Sequence, residues 1–379
     1  MRHSVLICAL SAIVLSISAS TFAQEGGTST DTAAAAKRAG KGLNPDTGVN
    51  FLGLYRKSVQ GNDSAAPNPN GFSFQEAELQ FSADVDPYLR AVGLFSIGEV
   101  ESSAPNGPHD HEFGLEPEEV YLESISLPSV TLKLGKFKAA FGRHNILHTH
   151  AFPFLDAPLI NDSLLGEEGL NDLGASASFL VPAPWFVELT AQGMAANSET
   201  LYASTNPNHL AGVAQLKNLW DLSDDTTLEL NLFGTTGKNR FDGDSNAYGT
   251  DLTLKWRPSV GGKYRSISWT TEYLNGYVGG DFGEETPAFG PRLGGIASWV
   301  QFQFAQRWWL QARAEILGLP QAEDLDSTKR QSVLLGFFPS EFSGFRLQYN
   351  RLTQPELPTD HAVALQWNIS IGAHPAHLY

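Results

Sequence analysis

The sequence predicts an all-β protein: a transmembrane, antiparallel, up-and-down β-barrel of about 16 strands with one infolded loop. Three observations carry that prediction. Apolar and polar residues alternate with a period of two, so segment after segment has one oily and one wet face. The segments run about 9 to 12 residues, the length a tilted strand needs to cross a bilayer. Short and long connections take turns between them, as in barrels with short periplasmic turns and long outer loops. Sandwiches and β-solenoids share the alternation but give no reason for the asymmetry of the connections.

The elements follow in chain order. Arg2 and His3 precede an apolar run from Val5 to Ala19, and Thr21-Phe22-Ala23 places small residues at the two positions flanking a signal-peptidase cut. Residues 1–23 therefore read as a signal peptide. Cys8, the one cysteine in the chain, leaves with it, so the exported protein has no disulfide framework and no thiol chemistry. Residues 24–46, rich in Ala, Gly, Thr and Ser, read as a flexible periplasmic leader. The barrel is expected over 47–379. Its strands are placed at 49–58, 72–84, 88–100, 117–126, 130–138, 173–181, 185–194, 209–219, 226–235, 247–257, 264–275, 295–304, 307–317, 330–338, 343–352 and 361–372. The alternation is cleanest in the last, where Val363, Leu365, Trp367, Ile369 and Ile371 interleave with Ala364, Gln366, Asn368 and Ser370. Trp185, Trp220, Trp256, Tyr264, Tyr273, Trp308 and Tyr349 fall near strand ends, where an interfacial girdle would form.

Composition removes other classes. Asp plus Glu number 41 against 25 Lys plus Arg, a balance opposed to a nucleic-acid partner. The slightly polar mean hydropathy excludes a bundle of membrane helices. An open sheet edge in hydrocarbon would leave unpaired N–H and C=O groups, so the first strand must meet the last. A barrel this wide encloses a water channel rather than filling itself with side chains. No Ser-His-Asp arrangement stands out from spacing, and no enzyme is predicted.

The connection 139–172 is the outlier. It carries Phe141, Ile146, Leu147, Phe152, Phe154, Leu155, Leu159, Ile160, Leu164 and Leu165, too apolar for a solvated tail. It is expected to pack on the inner wall and narrow the pore, the alternative being a lid over the mouth. In the first position Arg143, His144, His148, His150, Asp156, Glu167 and Glu168 would form the constriction. The inward wall is expected to carry Glu76, Glu78, Arg90, Glu119, Glu123, Lys133, Glu229, Asp251, Lys255, Arg313, Glu315 and Arg346. Its acidic tilt predicts a weak preference for cations. Lys136 and Lys138 share register with Leu132 and Leu134, so they lie at the membrane rim or follow a bulge.

Leu134-Gly135-Lys136-Phe137-Lys138-Ala139-Ala140-Phe141-Gly142-Arg143, preceded by Glu118-Glu119-Val120-Tyr121 and Leu127-Pro128, resembles a block of the phosphate-selective porin superfamily. With His148-Thr149-His150, Gly166-Glu167-Glu168-Gly169-Leu170 and the closing segment 372–379, the chain is similar to proteobacterial proteins called zinc-regulated, TonB-dependent outer-membrane receptors. The resemblance implies an outer-membrane channel of a Gram-negative bacterium with an infolded loop. Those porins line the pore with a basic ladder, which the inward set above lacks.

His144, His148 and His150, with His109 or His111 beside them, form a candidate zinc ligand set, since an H-x-H pair on an extended segment points both rings one way. No other cofactor is expected. The partners expected are outer-membrane lipid, small hydrophilic solutes or cations, the barrel assembly machinery and two further copies in a homotrimer. A zinc-linked receptor or importer using the loop histidines is the alternative function.

Overall fold

The computed structural model describes residues 45–60, 70–100, 112–260, 264–283, 290–320 and 327–372. The signal peptide and nearly all of the leader, His109, His111, His374 and His377 lie outside them.

Sixteen strands run in chain order: β1 (Asp46–Gln60), β2 (Gly71–Asp84), β3 (Leu89–Val100), β4 (Glu112–Ser124), β5 (Val130–Lys138), β6 (Asn171–Leu180), β7 (Phe186–Ala195) and β8 (Leu210–Ser223). They continue as β9 (Thr226–Lys238), β10 (Asp244–Trp256), β11 (Ser266–Val278), β12 (Arg292–Ala305), β13 (Trp308–Leu317), β14 (Thr328–Ser340), β15 (Ser343–Thr353) and β16 (Asp360–Gly372). Each pairs antiparallel with its chain neighbours, and β1 pairs with β16 through Phe51 opposite Ile369 and Tyr55 opposite Leu365, closing the barrel. No edge is left unpaired, which is the condition for a sheet to stand in hydrocarbon.

The period-two pattern becomes two surfaces. On β9, Glu229, Asn231 and Thr235 point inward and are buried, whereas Leu232 points outward and is half exposed. Around the outside, Leu189, Trp269, Val300, Val333, Leu347 and Leu365 continue the same exposed apolar belt. Trp185, Trp256, Tyr264 and Trp308 are exposed near the rim of short turns, Trp185 stacking against Trp220 at 6.2 Å. Tyr55, Tyr248 and Tyr277 are exposed toward the long-loop ends of their strands.

The pattern breaks at two places that matter later. The register between β3 and β4 shifts between Leu94 and Phe95, leaving Glu118 as an extra residue beside Pro117. A second shift, between Leu52 and Gly53, leaves Gln75 extra on β2. Bulges of this kind re-aim side chains, and proline is tolerated in them because it lacks a ladder donor.

Between β5 and β6 the chain turns into the barrel. It forms a 3-10 turn at Thr149–Ala151 and one short helix, α1 (Leu159–Leu165), then returns to the wall. The wall beneath α1 is made of glycine: a Cβ on Gly276 of β11 would meet a Leu164 methyl carbon at 2.2 Å, and one on Gly295 of β12 would meet Ile160 Cβ at 2.8 Å. The lid alternative does not apply, since the loop's partners are inward side chains in the middle of the strands.

Candidate functional site

The loop is strapped at its neck and held by oil and charge inside. Asn145 is the strap. Its Nδ2 donates to the carbonyls of Ala139 (2.9 Å) and Leu170 (3.2 Å), and its Oδ1 accepts from the Leu170 amide (2.8 Å), tying the outgoing chain to the returning one. Gly142, at φ +75°, makes the inward turn, where a Cβ would meet the Phe233 ring at 2.8 Å. One apolar cluster joins Phe141, Ile160, Leu164, Leu165 and Leu170 to Met194, Val213, Phe233, Leu274 and Leu293 of the wall. A second joins Phe154 and Leu155 to Leu54, Trp299 and Leu334. Burial of this extent is what the loop's apolar sequence requires.

Asp156 lies between the two clusters as an anionic hub. Arg313 of β13 donates to its carboxylate at 2.5 Å and Arg330 of β14 at 2.8 Å. Gln348 (3.0 Å) and Asn350 (3.2 Å) of β15 add amide donors. Burial alone would raise this carboxyl's pKa, but the guanidinia of Arg313 and Arg330 overcome it and hold the group well below the ordinary carboxylate range. Glu315 completes the network, pairing with Arg313 at 2.7 Å and Arg330 at 2.8 Å and accepting the Leu159 amide at 2.6 Å where α1 begins. Arg346 donates to the Phe152 carbonyl at 2.5 Å and to Gln366 at 2.7 Å.

Further round the ring, Glu272 of β11 accepts from Asn161 (2.9 Å) and from the His144 amide (3.2 Å). Arg143 and Lys217 share Glu229, each at 3.3 Å. Asn231 links Glu229 to Asp251, donating at 3.2 and 2.8 Å. The loop is thus fastened to strands on several sides of the lumen.

The third anchor is His148. Its Nδ1 lies 2.6 Å from Glu118 and its Nε2 2.8 Å from Glu119, so one imidazole is clamped by adjacent residues of β4. In a regular strand those two carboxylates would face opposite sides. The bulge beside Pro117 turns both inward. Glu78 of β2 stands 3.4 Å from His148 Nδ1 and 3.2 Å from His150 Nδ1. The two rings are parallel with centroids 6.1 Å apart.

The histidine set anticipated for a metal is divided. His144 is fully enclosed, its ring 4.4 Å from Phe152, and burial followed by the nearby charges of Arg313, Lys138 and Arg330 lowers its pKa to about 3. It is neutral and apart from the His148–His150 cluster. Of the other anticipated constriction residues, Glu167 donates its amide to the Glu199 carboxylate at 2.8 Å and Glu168 accepts from Asn171, both beside the loop's return. The wall residues Glu76, Glu78, Glu119, Glu123, Lys133, Glu229, Asp251, Lys255, Arg313, Glu315 and Arg346 fall on the inward face, as does Arg90, paired with Asp84 at 2.7 Å near the short-turn rim. Lys136 and Lys138 follow no bulge in β5; Lys136 donates to the Pro117 carbonyl at 2.8 Å and Lys138 ends the strand.

Sequence reasoning missed Glu118 and Arg330. Pro117 inside an acidic strand was the available signal for the first, because a proline there marks a bulge. Arg330 stands at the start of its alternating segment, where register is hardest to read.

No protein-family profile matches the chain. An uncharacterized protein of Aquifex aeolicus (strain VF5) is 27% identical over 346 residues, covering 81% of this chain and 70% of that one. Among solved structures, the outer membrane channel DcaP of Acinetobacter baumannii superposes with a TM-score of 0.55 at 11% identity, over 87% of this chain and 99% of that one. OprB of Pseudomonas putida gives 0.58 at 8% identity, over 90% and 96%. A loop-deletion form of OmpT, an outer membrane protein of Vibrio cholerae, gives 0.54 at 9% identity, over 86% and 99%. At these identities the likeness is one of fold: a closed antiparallel barrel shared with outer-membrane proteins.

Proposed function

We propose that the chain is an outer-membrane channel through which small hydrophilic solutes or ions diffuse passively, with a weak preference for cations. The observation that carries this reading is the loop between β5 and β6, built into the lumen of a closed barrel and fastened to a polar inner wall. A barrel without a conducting lumen has no use for a polar interior narrowed at mid-height, whereas a channel sets its size limit there. The apolar outer belt and the rim aromatics support a lipid setting. The likeness to a channel and to other outer-membrane barrels supports the same setting.

The cation preference rests on charge placement. Glu76, Glu78, Glu118, Glu119 and Glu123 gather on β2 and β4, while the cations Arg313, Arg330 and Arg346 are consumed by Asp156, Glu315, Gln366 and loop carbonyls. Fixed negative charge in a confined aqueous space enriches cations. Single-channel recording of the refolded protein in a planar bilayer under a salt gradient is the test. Steady openings with a reversal potential of cation sign are expected. A folded barrel that passes no current would overturn the channel reading, and a reversal potential of anion sign would overturn the selectivity.

A further inference from the structure

We propose that Glu78, Glu118, His148 and His150 form a binding site for one divalent transition-metal ion of the zinc class, held between the infolded loop and the wall of β2 and β4. The site goes beyond conduction and does not depend on it.

The donor set is two imidazoles and two carboxylates, the mixture borderline metals take, whereas calcium and magnesium ask for oxygen shells. One ligand atom each from Glu78, Glu118 and His148 already lies within 4.8 Å of the others. Ligands on a tetrahedral ion with bonds of about 2.0–2.2 Å stand about 3.3 Å apart. Glu78 Oε2 stands 3.4 Å from His148 Nδ1 and 3.2 Å from His150 Nδ1, so it is at ligand spacing from each imidazole, while His150, its ring centroid 6.1 Å from that of His148, lies outside the compact group and has to turn toward His148 to become the fourth ligand. Glu118, at 2.6 Å from the same Nδ1, is at hydrogen-bond spacing and needs to draw back by less than an ångström.

Two further observations point to a ligand. Glu76 Oε1 and Glu78 Oε2 accept no hydrogen bond although both side chains are more than nine-tenths buried, at 8% and 5% exposed. Four carboxylates converge on two imidazoles, and the positive charges that reach Glu118 are those of His148 and Lys138. A divalent ion would cancel that excess. Glu119, on His148 Nε2 at 2.8 Å, completes the arrangement, since metal-bound histidines commonly give their other ring N–H to a carboxylate that fixes tautomer and orientation. On binding, the proton at His148 Nδ1 goes to solvent and the ring nitrogen's lone pair goes to the metal. The ion would then pin the first third of the loop to the wall.

The test is titration of the folded, detergent-solubilised protein with Co²⁺, followed by visible absorption, and with Zn²⁺, followed by calorimetry. Folding is checked for each variant by the mobility of unheated samples on gels. One equivalent is expected, with the d–d bands of a four-coordinate N/O site, persisting when His109, His111, His374 and His377 are all replaced by Ala. His148→Ala and Glu118→Gln should abolish it, and Glu119→Gln should weaken it by about 10- to 100-fold. Should His148→Ala fail to fold, His150→Gln leaves the Glu118–His148–Glu119 clamp in place and must still lose the bands. No saturable binding by the folded wild type would overturn the proposal, as would binding undiminished in Glu118→Gln and His150→Gln.

Discussion

At the scale of single residues the loop depends on Asp156 more than on any other charge. Arg313 and Arg330 each have a carboxylate in Glu315 as well, but Asp156 supplies the charge that draws both of them from wall to loop, beside the Arg330 bond to the Ala157 carbonyl. Replacing it with Asn keeps the shape but turns one of the two acceptor oxygens into an NH2 donor and leaves Arg313, 1% exposed at its side chain, short of a counter-charge. Breaking a buried pair from one side costs about 3 kcal/mol or more. Asp156→Asn should therefore loosen the loop against β13 and β14, where the bonds from Arg330 to the Ala157 carbonyl and from the Leu159 amide to Glu315 remain, without unfolding the barrel. Faster amide exchange confined to 152–160 and larger, noisier single-channel currents are the expected result; unchanged exchange there would show that the apolar clusters hold the loop alone. The pH dependence has a definite sign. A carboxylate whose pKa is depressed in the folded state contributes its full stability above its unfolded value near 4 and loses it only as pH falls through the depressed value. Between pH 7 and pH 5 this anchor should hold, so loop exchange corrected for intrinsic rates should not change through Asp156.

At the scale of elements, α1 is too short to be stable alone and exists because the wall receives it. Gly276 and Gly295 supply the hollow, and Ile160, Leu164 and Leu165 fill it. Gly295→Val would place its Cβ against Ile160 Cβ and the Ile316 carbonyl, two points that cannot swing aside. Overpacking of that kind costs about 1–3 kcal/mol. Protease sensitivity should appear at 157–167, with the strands still protected; an intact α1 would mean that the wall, not the helix, moves. The contrast with the strands shows what a sequence exposes. All sixteen were legible because each repeats one rule over nine or more residues, and the outlying length and oil of 139–172 marked the loop. The clamp on His148 was not legible, because Pro117 and Glu118 shift β4 by one residue and strict alternation sends Glu118 to the lipid face. His144 was grouped with His148 and His150 for a similar reason. Spacing along an irregular loop says nothing of where each ring turns, and the Phe152 contact and burial took His144 elsewhere.

At the scale of the whole molecule, one question divides a membrane barrel from a soluble one of the same topology: what solvent the outer face meets. Leu232, Val333 and Leu365 lie near the middle of β9, β14 and β16, point outward, and are 47%, 49% and 39% exposed. In water, replacing such exposed leucines and valines with arginine is close to neutral, within about 0.5 kcal/mol. In hydrocarbon, arginine at the midplane of a barrel costs about 2–4 kcal/mol, falling toward zero near the interfaces. Leu232→Arg, Val333→Arg and Leu365→Arg should each lower the unfolding midpoint of the protein in lipid vesicles by that amount, whereas Val260→Arg, 89% exposed beyond the end of β10, should leave it unchanged. Depth is what separates the two sets, because all four positions are exposed. Equal and small effects at all four would show that the belt faces water and would remove the setting on which conduction depends. A cost confined to the three central positions would fix the belt's height against the bilayer, and with it the level at which Asp156 and His148 hold the loop across the lumen.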